Sequence, residues 1–341
     1  MGQGATTGTC AAAAAKAAAL YARGSRPSQR LDVPLPGNER TVVEILAWGG
    51  SQNHPWASVR KPLTEDPDAT REAVVVASLR PSERIAFRAG AGVGTVTRPG
   101  LQLAVGEPAI NPTPRLQIER ALAEIGSDSW EVSISVQGGA AIAARTFNPR
   151  LGIVGGISIL GTSGMVRPWS TEALLGSIDA HLGVVRAKGQ TTALLVPGHM
   201  GERAAVRWVP GLECVEVGNA WGESLDLVRR RGFDEVVALG HPGKLVKIAQ
   251  GQWDTHSSAG SSAATWSYRF LNRLFRPMRS DLDGVPDTLE GLLAPLESGF
   301  RHKAASALAR SVARHLSRRA GMSSRVVFVD LQGTILGEGR S

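Results

Sequence analysis

From about residue 150 onward, short apolar runs alternate with amphipathic stretches, and loops bearing glycine join them. Ile153–Leu160, Thr191–Val196, Val215–Val217, Val236–Leu239 and Arg325–Asp330 read as strands. Ser170–Leu182, the stretch after Gly198–Gly201, Gly222–Arg231 and Lys244–Ala249 read as helices. Strands that each feed a helix pair in parallel, because the helix carries the chain back to the end from which the strand started. This rhythm predicts a doubly wound sheet in three α/β/α layers over residues 149–341.

Residues 1–148 have a different grain and predict a separate α+β domain. Thr6–Leu20 is a helix propagated by alanine, with Thr7 or Thr9 able to accept from its free N–H groups. Arg30–Pro36 and Thr41–Trp48 alternate like strands around Pro36-Gly37-Asn38, and Ser51–Ala69 reads as loop. Ala73–Leu79 and Arg84–Arg88 read as paired strands, and a β-like Val93–Thr97 sits inside glycine-rich Ala89–Gly106. Pro114–Ile125 reads as a helix, and Trp130–Val136 with Ala140–Thr146 as a hairpin.

Composition narrows the function classes. The chain has 341 residues, 43% hydrophobic and 20% charged, enough for two cores. No run reaches the roughly 18 apolar residues of a membrane helix. Ala11–Ala15 and Ala17–Tyr21 look like a signal-peptide core, but no basic residue precedes them and Lys16 interrupts them. Met1–Thr6 fits the loose myristoylation pattern, which a capped helix explains equally well. Only Cys10 and Cys214 are cysteines, so no zinc cluster is indicated, no metal is expected, and a reducing cytoplasm is the default. The net charge of +8 suits anionic partners, with arginines such as Arg310, Arg314 and Arg318 crowding the C-terminal part. Aromatic residues are scarce and not interleaved with the basic ones, which argues against nucleic acid; a solvated arginine-rich helix is the plain alternative.

Three loops fall at the carboxyl ends of the predicted strands, where such sheets bind ligands. They are Gly161–Gly164, Gly198–Gly201, and Gly240–Lys244 with its sequel to Ser257. Gly155–Gly164 offers backbone N–H groups and the Ser158, Thr162 and Ser163 hydroxyls to a carboxylate or ribose; tight packing is the alternative. Gly90–Gly94 precedes a strand and reads as a turn or bulge, while Gly240–Leu245 lacks the spacing of an ATP loop. Asp254–Ser257 (DTHS) gathers a carboxylate, two hydroxyls and an imidazole, so His256 is a proton acceptor near neutral pH or a structural histidine. No GxSxG elbow supports a hydrolase. Ser257–Ser267 reads as a flexible loop.

Several ordered blocks resemble the CbiD family of C-methyltransferases. They are TTGTCAAAAAKAA (Thr6–Ala18), AGVGTVTRPGLQLAVGEPAINPTPR (Ala91–Arg115) and RTFNPRLGIVGGISILGTSGMVRPWS (Arg145–Ser170). PGHMG (Pro197–Gly201), GNAWG (Gly218–Gly222), LGHPGKLVKIAQG (Leu239–Gly251) and DTHS follow. The resemblance implies methylation of C1 of cobalt-precorrin-5B by S-adenosylmethionine in anaerobic cobalamin synthesis. It also implies an α+β domain like the second domain of ribosomal protein S5, then a Rossmann-like α/β/α domain. On that reading Gly155, Gly156, Ser158, Gly161, Thr162, Ser163 and Gly164 hold the donor, with His199, Asn219, Gly240, His241 and Lys244. His256, with Asp254 and Thr255, is the candidate base or orienting group. Thr7, Thr9, Asn111, Arg115 and Ser257 face the acceptor, Asn111 and Arg115 across the domain cleft. The acceptor is a small molecule, a polycarboxylate tetrapyrrole or another natural-product intermediate; a homodimer is left open.

Two segments depart from the family pattern. Lys61–Glu72 reads KPLTEDPDATRE where the family has a KDAGDDPD-type run followed by Thr-His-Gly: Lys61, Asp66, Pro67, Asp68 and Thr70 remain, but Pro62, Thr64 and Arg71 replace an acid, a glycine and a histidine. Ser258–Thr265 is uncharged where the family tends to carry charges. These departures keep open a diverged paralogue that methylates another carbon acceptor in a secondary-metabolite pathway, ring closure such as cyclopropanation included.

Overall fold

The computed structural model of the chain describes residues 4–63, 68–126, 129–166, 170–256, 262–275 and 286–341. Its contacts separate into two units, Met1–Thr171 and Glu172–Ser341, each mixing helices with sheet.

The first unit begins with helix α1 (Thr7–Ala22). Thr6 Oγ1 accepts the Thr9 N–H at 3.2 Å, satisfying one of the free donors of the first turn. Cys10–Ala18 are 0% exposed except Lys16 at 7%. Side chains this small let α1 lie close against its neighbours. Strands β1 (Arg30–Pro34) and β2 (Arg40–Glu44) form the expected hairpin. Next come β3 (Ala47–Ser51), β4 (His54–Arg60), β5 (Val74–Pro81), β6 (Ala86–Ala89), β7 (Gly92–Val93) and β8 (Thr95–Val96). Helix α2 (Pro112–Ala123), β9 (Trp130–Val136), α3 (Gly139–Ala143), α4 (Asn148–Leu151), β10 (Ile153–Val154) and β11 (Gly156–Ile157) complete the unit. The main sheet has the order β3-β4-β5-β9-β6. In β9 the residues Trp130, Val132, Ile134 and Val136 are buried and those between are half-buried, so one face meets the core.

The structure corrects several expectations. Strand β4 lies inside the stretch read as loop; Pro55, Ala57 and Val59 take its inward positions, so only the last of them carries a branched aliphatic side chain. β5 and β6 do not pair, because β9 lies between them, antiparallel to β5 and parallel to β6. With both edges of β9 taken, Ala140–Thr146 has no strand to join. Gly138 adopts a left-handed φ of 67° and the alanine-rich stretch turns into α3. The boundary also moves, from 148/149 to Thr171/Glu172. β10 pairs with β8 and β11 with β7, which ties the glycine segment to the first unit.

The second unit begins at Glu172, within helix α5 (Thr171–Ala187). It continues with β12 (Thr192–Val196), α6 (His199–Trp208), β13 (Cys214–Glu216), α7 (Trp221–Arg230), β14 (Glu235–Gly240) and α8 (Pro242–Ala249). Then follow α9 (Ala263–Phe275), α10 (Leu289–Leu293), α11 (Ser298–Ala320), β15 (Ser323–Val329) and β16 (Ile335–Arg340). α9 occupies part of the expected 257–267 loop. The sheet order is β13-β12-β14-β15-β16, parallel except for the last strand. From β12 the chain steps one way to β13 through α6, then back past β12 to β14 through α7. Right-handed crossovers that step in opposite directions put their helices on opposite faces. Accordingly Leu194, Val196, Val237 and Leu239 pack with α6, while Ala193, Leu195, Val236 and Ala238 pack with α7, α8 and α11. Arg310, Arg314 and Arg318 lie on the solvent side of α11, as a solvated arginine-rich face would.

Candidate functional site

In the first unit, the Thr6–Thr9 turn and the glycine segment form a clasp. The Gly8 N–H donates to the Leu160 carbonyl at 3.1 Å and the Thr6 N–H to that of Gly164 at 3.0 Å. Thr7 Oγ1 accepts the Leu160 N–H at 3.0 Å, and the Thr9 hydroxyl donates to the Gly164 carbonyl at 2.7 Å. Thr7 and Thr9 are 3% and 0% exposed, so both assigned acceptor contacts are spent on the protein itself. Ser158 is 7% exposed and donates to Asn148 Oδ1 at 3.2 Å, while Asn148 Nδ2 donates to the Gly156 carbonyl at 3.0 Å. A Cβ on Gly156 would stand 2.1 Å from the Gly92 carbonyl oxygen, so this glycine exists for strand contact. Gly161 packs on Thr6, and Gly164 on Leu35 and Pro36. Gly155, Thr162 and Ser163 remain exposed.

Asn111 is the half-buried N-cap residue of α2. Arg115 turns inward: its Nε donates to the Ile110 carbonyl at 2.8 Å and its Nη2 to that of Pro108 at 3.3 Å, which fixes the chain before α2. Lys61, 1% exposed, reaches Asp68 Oδ2 at 2.7 Å. Burial acts to raise the Asp68 carboxyl, but Lys61 and Thr70 outweigh it and hold it below the usual carboxylate range. Residues 64–67 of the altered segment lie outside the described residues. Burial pushes the Cys10 thiol up to about 12, leaving it unreactive.

In the second unit, the assigned residues gather at the carboxyl ends of the parallel strands. β12 ends at Pro197-Gly198 and β14 at Gly240-His241; a Cβ on Gly240 would stand 2.7 Å from Pro197 Cγ, so these ends touch. This pair is where the winding reverses, the crevice in which open sheets bind ligands. His199 is open to solvent and its Nδ1 lies 3.0 Å from Glu202 Oε2. His241 caps α8, its Nδ1 accepting the Gly243 N–H at 3.2 Å. That bond requires an unprotonated Nδ1 and leaves the imidazole proton on Nε2. Burial pushes the His241 imidazole down, opposed by the Glu290 and Asp330 charges. Lys244 is exposed on the first turn of α8.

Asn219 and the DTHS segment meet. Thr255, 2% exposed, donates its N–H to the Asn219 carbonyl at 3.1 Å and its hydroxyl to Asn219 Oδ1 at 3.4 Å. Asp254 Oδ1 accepts the His256 N–H at 2.9 Å, and the ammonium of Lys247 donates to the His256 carbonyl at 2.6 Å. His256 itself is exposed, on a backbone held from three directions. Ser257 lies outside the described residues. The sequence reading missed Glu216 and Lys247. Glu216 ends β13, where an acid roughly 20 residues beyond the first strand-to-helix turn is the usual ribose partner. Its Oε1 stands 3.6 Å from where a Gly198 Cβ would be. Lys247, 7% exposed, falls among apolar Leu245, Val246 and Ile248, and that placement was the available signal. Among the described residues, no group of three or more His, Cys, Asp or Glu side chains could share a metal ion, and no helix is long and apolar enough to cross a membrane.

A family model described as CbiD matches residues 1–168. The cobalt-precorrin-5B C(1)-methyltransferase of Syntrophotalea carbinolica is 41% identical over 342 residues, covering 98% of this chain and 96% of that one. The protein of that name from Paramagnetospirillum magneticum is 38% identical over 352 residues, covering 98% and 97%. Among solved structures, the cobalamin biosynthesis protein CbiD from Archaeoglobus fulgidus is 27% identical, with a TM-score of 0.41 over 74% of this chain and 81% of that one. The chain belongs to the CbiD family and is a methyltransferase.

Proposed function

We propose that this enzyme transfers the methyl group of S-adenosylmethionine to C1 of cobalt-precorrin-5B, a cytoplasmic step of anaerobic cobalamin synthesis. The observation that carries the reading is the 41% identity, end to end, with a protein of that named activity. The reported relatives lend no support to a paralogue acting on another carbon acceptor. The second unit is read as Rossmann-like, supported by its strand order and alternating crossovers, and the first as like the second domain of ribosomal protein S5.

The donor belongs at the carboxyl edge of β12, β13 and β14. Bound there, S-adenosylmethionine supplies a methyl group on a positively charged sulfur. The groups present suit it. Gly198 and Gly240 leave backbone room, Glu216 can accept from ribose hydroxyls, and His241 offers an Nε2–H to an oxygen. Trp221, which opens α7, has a fully buried indole N–H without a partner among the described residues, a donor that a polar ligand atom or water would satisfy. The protein's work is to align the two reactants and exclude water. His256 orients the acceptor or takes a proton if one is released.

A single turnover with methyl-labelled S-adenosylmethionine and cobalt-precorrin-5B, read by mass spectrometry, tests the reading. Label in the tetrapyrrole with stoichiometric S-adenosylhomocysteine is expected. Donor binding without transfer overturns the acceptor. Weak donor binding by Glu216→Gln, with acceptor binding kept, is expected; unchanged donor affinity overturns the donor site.

A further inference from the structure

The main sheet of the first unit buries one face against α1; on the other face Ser58 and Val74 are buried, whereas the stretch around Trp56, Ser78, Arg80 and Arg88 is exposed. Outward positions of four adjacent strands fall in one row: Trp56 opposite Ser78, Ser78 opposite Ser133, and Ser133 opposite Arg88. Three strand gaps make this row about 14 Å wide. Small hydroxyls occupy the middle. Trp56, 36% exposed, stands at one end and Arg88, with a side chain 68% exposed, at the other. In the next row Arg80 lies opposite Glu131, and Arg88 pairs with that Glu131 at 2.6 Å. Arg80 is exposed and, among the described residues, its guanidinium has neither ion pair nor hydrogen bond. Ser78, Arg80, Arg88, Glu131 and Ser133, with His54 but without Trp56, line a shallow depression of about 420 Å³.

We propose that this sheet face is the platform on which the acceptor rests, a planar macrocycle with carboxylates around its rim. The inference rests on the polycarboxylate tetrapyrrole proposed above. A flat ring needs a flat floor, which Ser78 and Ser133 provide without projecting. Rim carboxylates need donors at the edge of that floor, and Arg80 and Arg88 stand there. Guanidinium groups meet carboxylates in paired hydrogen bonds, and serine hydroxyls can donate to those between. Trp56 offers an aromatic face to the ring's edge. A ring about as wide as the row covers all four strands. The cations outnumber the one acid, so the face selects an anion.

The test is equilibrium binding to the full-length protein, read by absorbance, with cobyrinic acid as probe and cobinamide as its amide counterpart. Wild type is expected to bind cobyrinic acid in a salt-sensitive manner and cobinamide at least tenfold more weakly. Arg80→Glu with Arg88→Glu is expected to weaken cobyrinic acid at least tenfold, and Ser133→Trp to do so at all salt concentrations. Arg318→Glu on α11 serves as the charge control, and S-adenosylmethionine affinity should stay within twofold in every variant. Platform variants that bind cobyrinic acid within twofold of wild type overturn the platform. Wild type that binds no cobyrinic acid overturns the acceptor class instead. Capture of poly-glutamate or of a short RNA by the same arginines, in place of cobyrinic acid, overturns this occupant.

Discussion

The ammonium of Lys247 donates to the backbone carbonyl of His256 at 2.6 Å, from a side chain 7% exposed on α8. A buried cation that donates to a carbonyl helps hold that carbonyl in place, since losing the bond leaves a buried charge less well compensated. Lys247 is therefore a positioning residue for His256. Lys247→Met should lower single-turnover rate at least tenfold while donor affinity stays within twofold, and Lys247→Arg should recover part of the rate. Amide exchange across residues 252–256 should quicken in Lys247→Met. Equal loss of rate and donor affinity in both variants would make Lys247 a general stabiliser of α8.

His241 predicts a pH dependence of known sign. Burial lowers its folded pKa against the opposing Glu290 and Asp330 charges, and its Nδ1 must stay unprotonated to cap α8. The unfolded chain then binds more protons just below the ordinary histidine range of about 6.5. This contribution to stability is full above that range and falls as pH drops toward the lowered folded value. Thermal unfolding at pH 7.5 and 5.5 should show a larger loss in wild type than in His241→Asn, which keeps a capping side chain and cannot titrate. Equal losses would remove His241 from the account.

A second titration lies at acid pH. Lys16, Arg40 and Glu124 join α1, the β1-β2 hairpin and α2: Glu124 meets Arg40 Nη1 at 2.6 Å and Lys16 Nζ at 2.5 Å. The Arg40 guanidinium, with Lys16, holds the Glu124 carboxyl to about 2. A depressed carboxylate stabilises the fold above its unfolded pKa and loses that effect as pH falls through its folded value. The window runs from pH 4.5 down to about 2. With a third of the side chain exposed, solvent screening leaves about 1–2 kcal/mol. Denaturant titrations of wild type and Glu124→Gln should converge across this window; parallel curves would refute it.

The two glycines at the start of β11 should respond differently to the same added methyl. At Gly156 a Cβ would overlap the Gly92 carbonyl, whereas at Gly155 there is open space and only a φ of 92° to resist it. Gly156→Ala should cost about 1–3 kcal/mol by overpacking, and Gly155→Ala about 1 kcal/mol from backbone strain. Melting temperatures compare them directly. Equal costs would mean that β7 and β11 are free to move apart.

Much of the second unit was legible because its signals are local. Each strand from β12 to β14 carries its own apolar run and its own glycine stop, so the parallel pairing followed from one repeated pattern. The α1 helix was legible for the same reason, in its alanines and threonine cap. Partner choice was not. Whether Ala140–Thr146 became strand or helix depended on the edges of β9 already being taken by β5 and β6, a fact distributed along the chain from Val74 to Val136. The glycine segment read as a ligand loop because glycine permits close approach, but only the fold decided that the approaching group is Gly92, Thr6 or Leu35 from the chain itself. Sequence by itself determined where the backbone could turn and which residues seek burial. Tertiary structure decided which neighbour each donor, methyl and charge met, because those distances are set between segments that no local pattern connects.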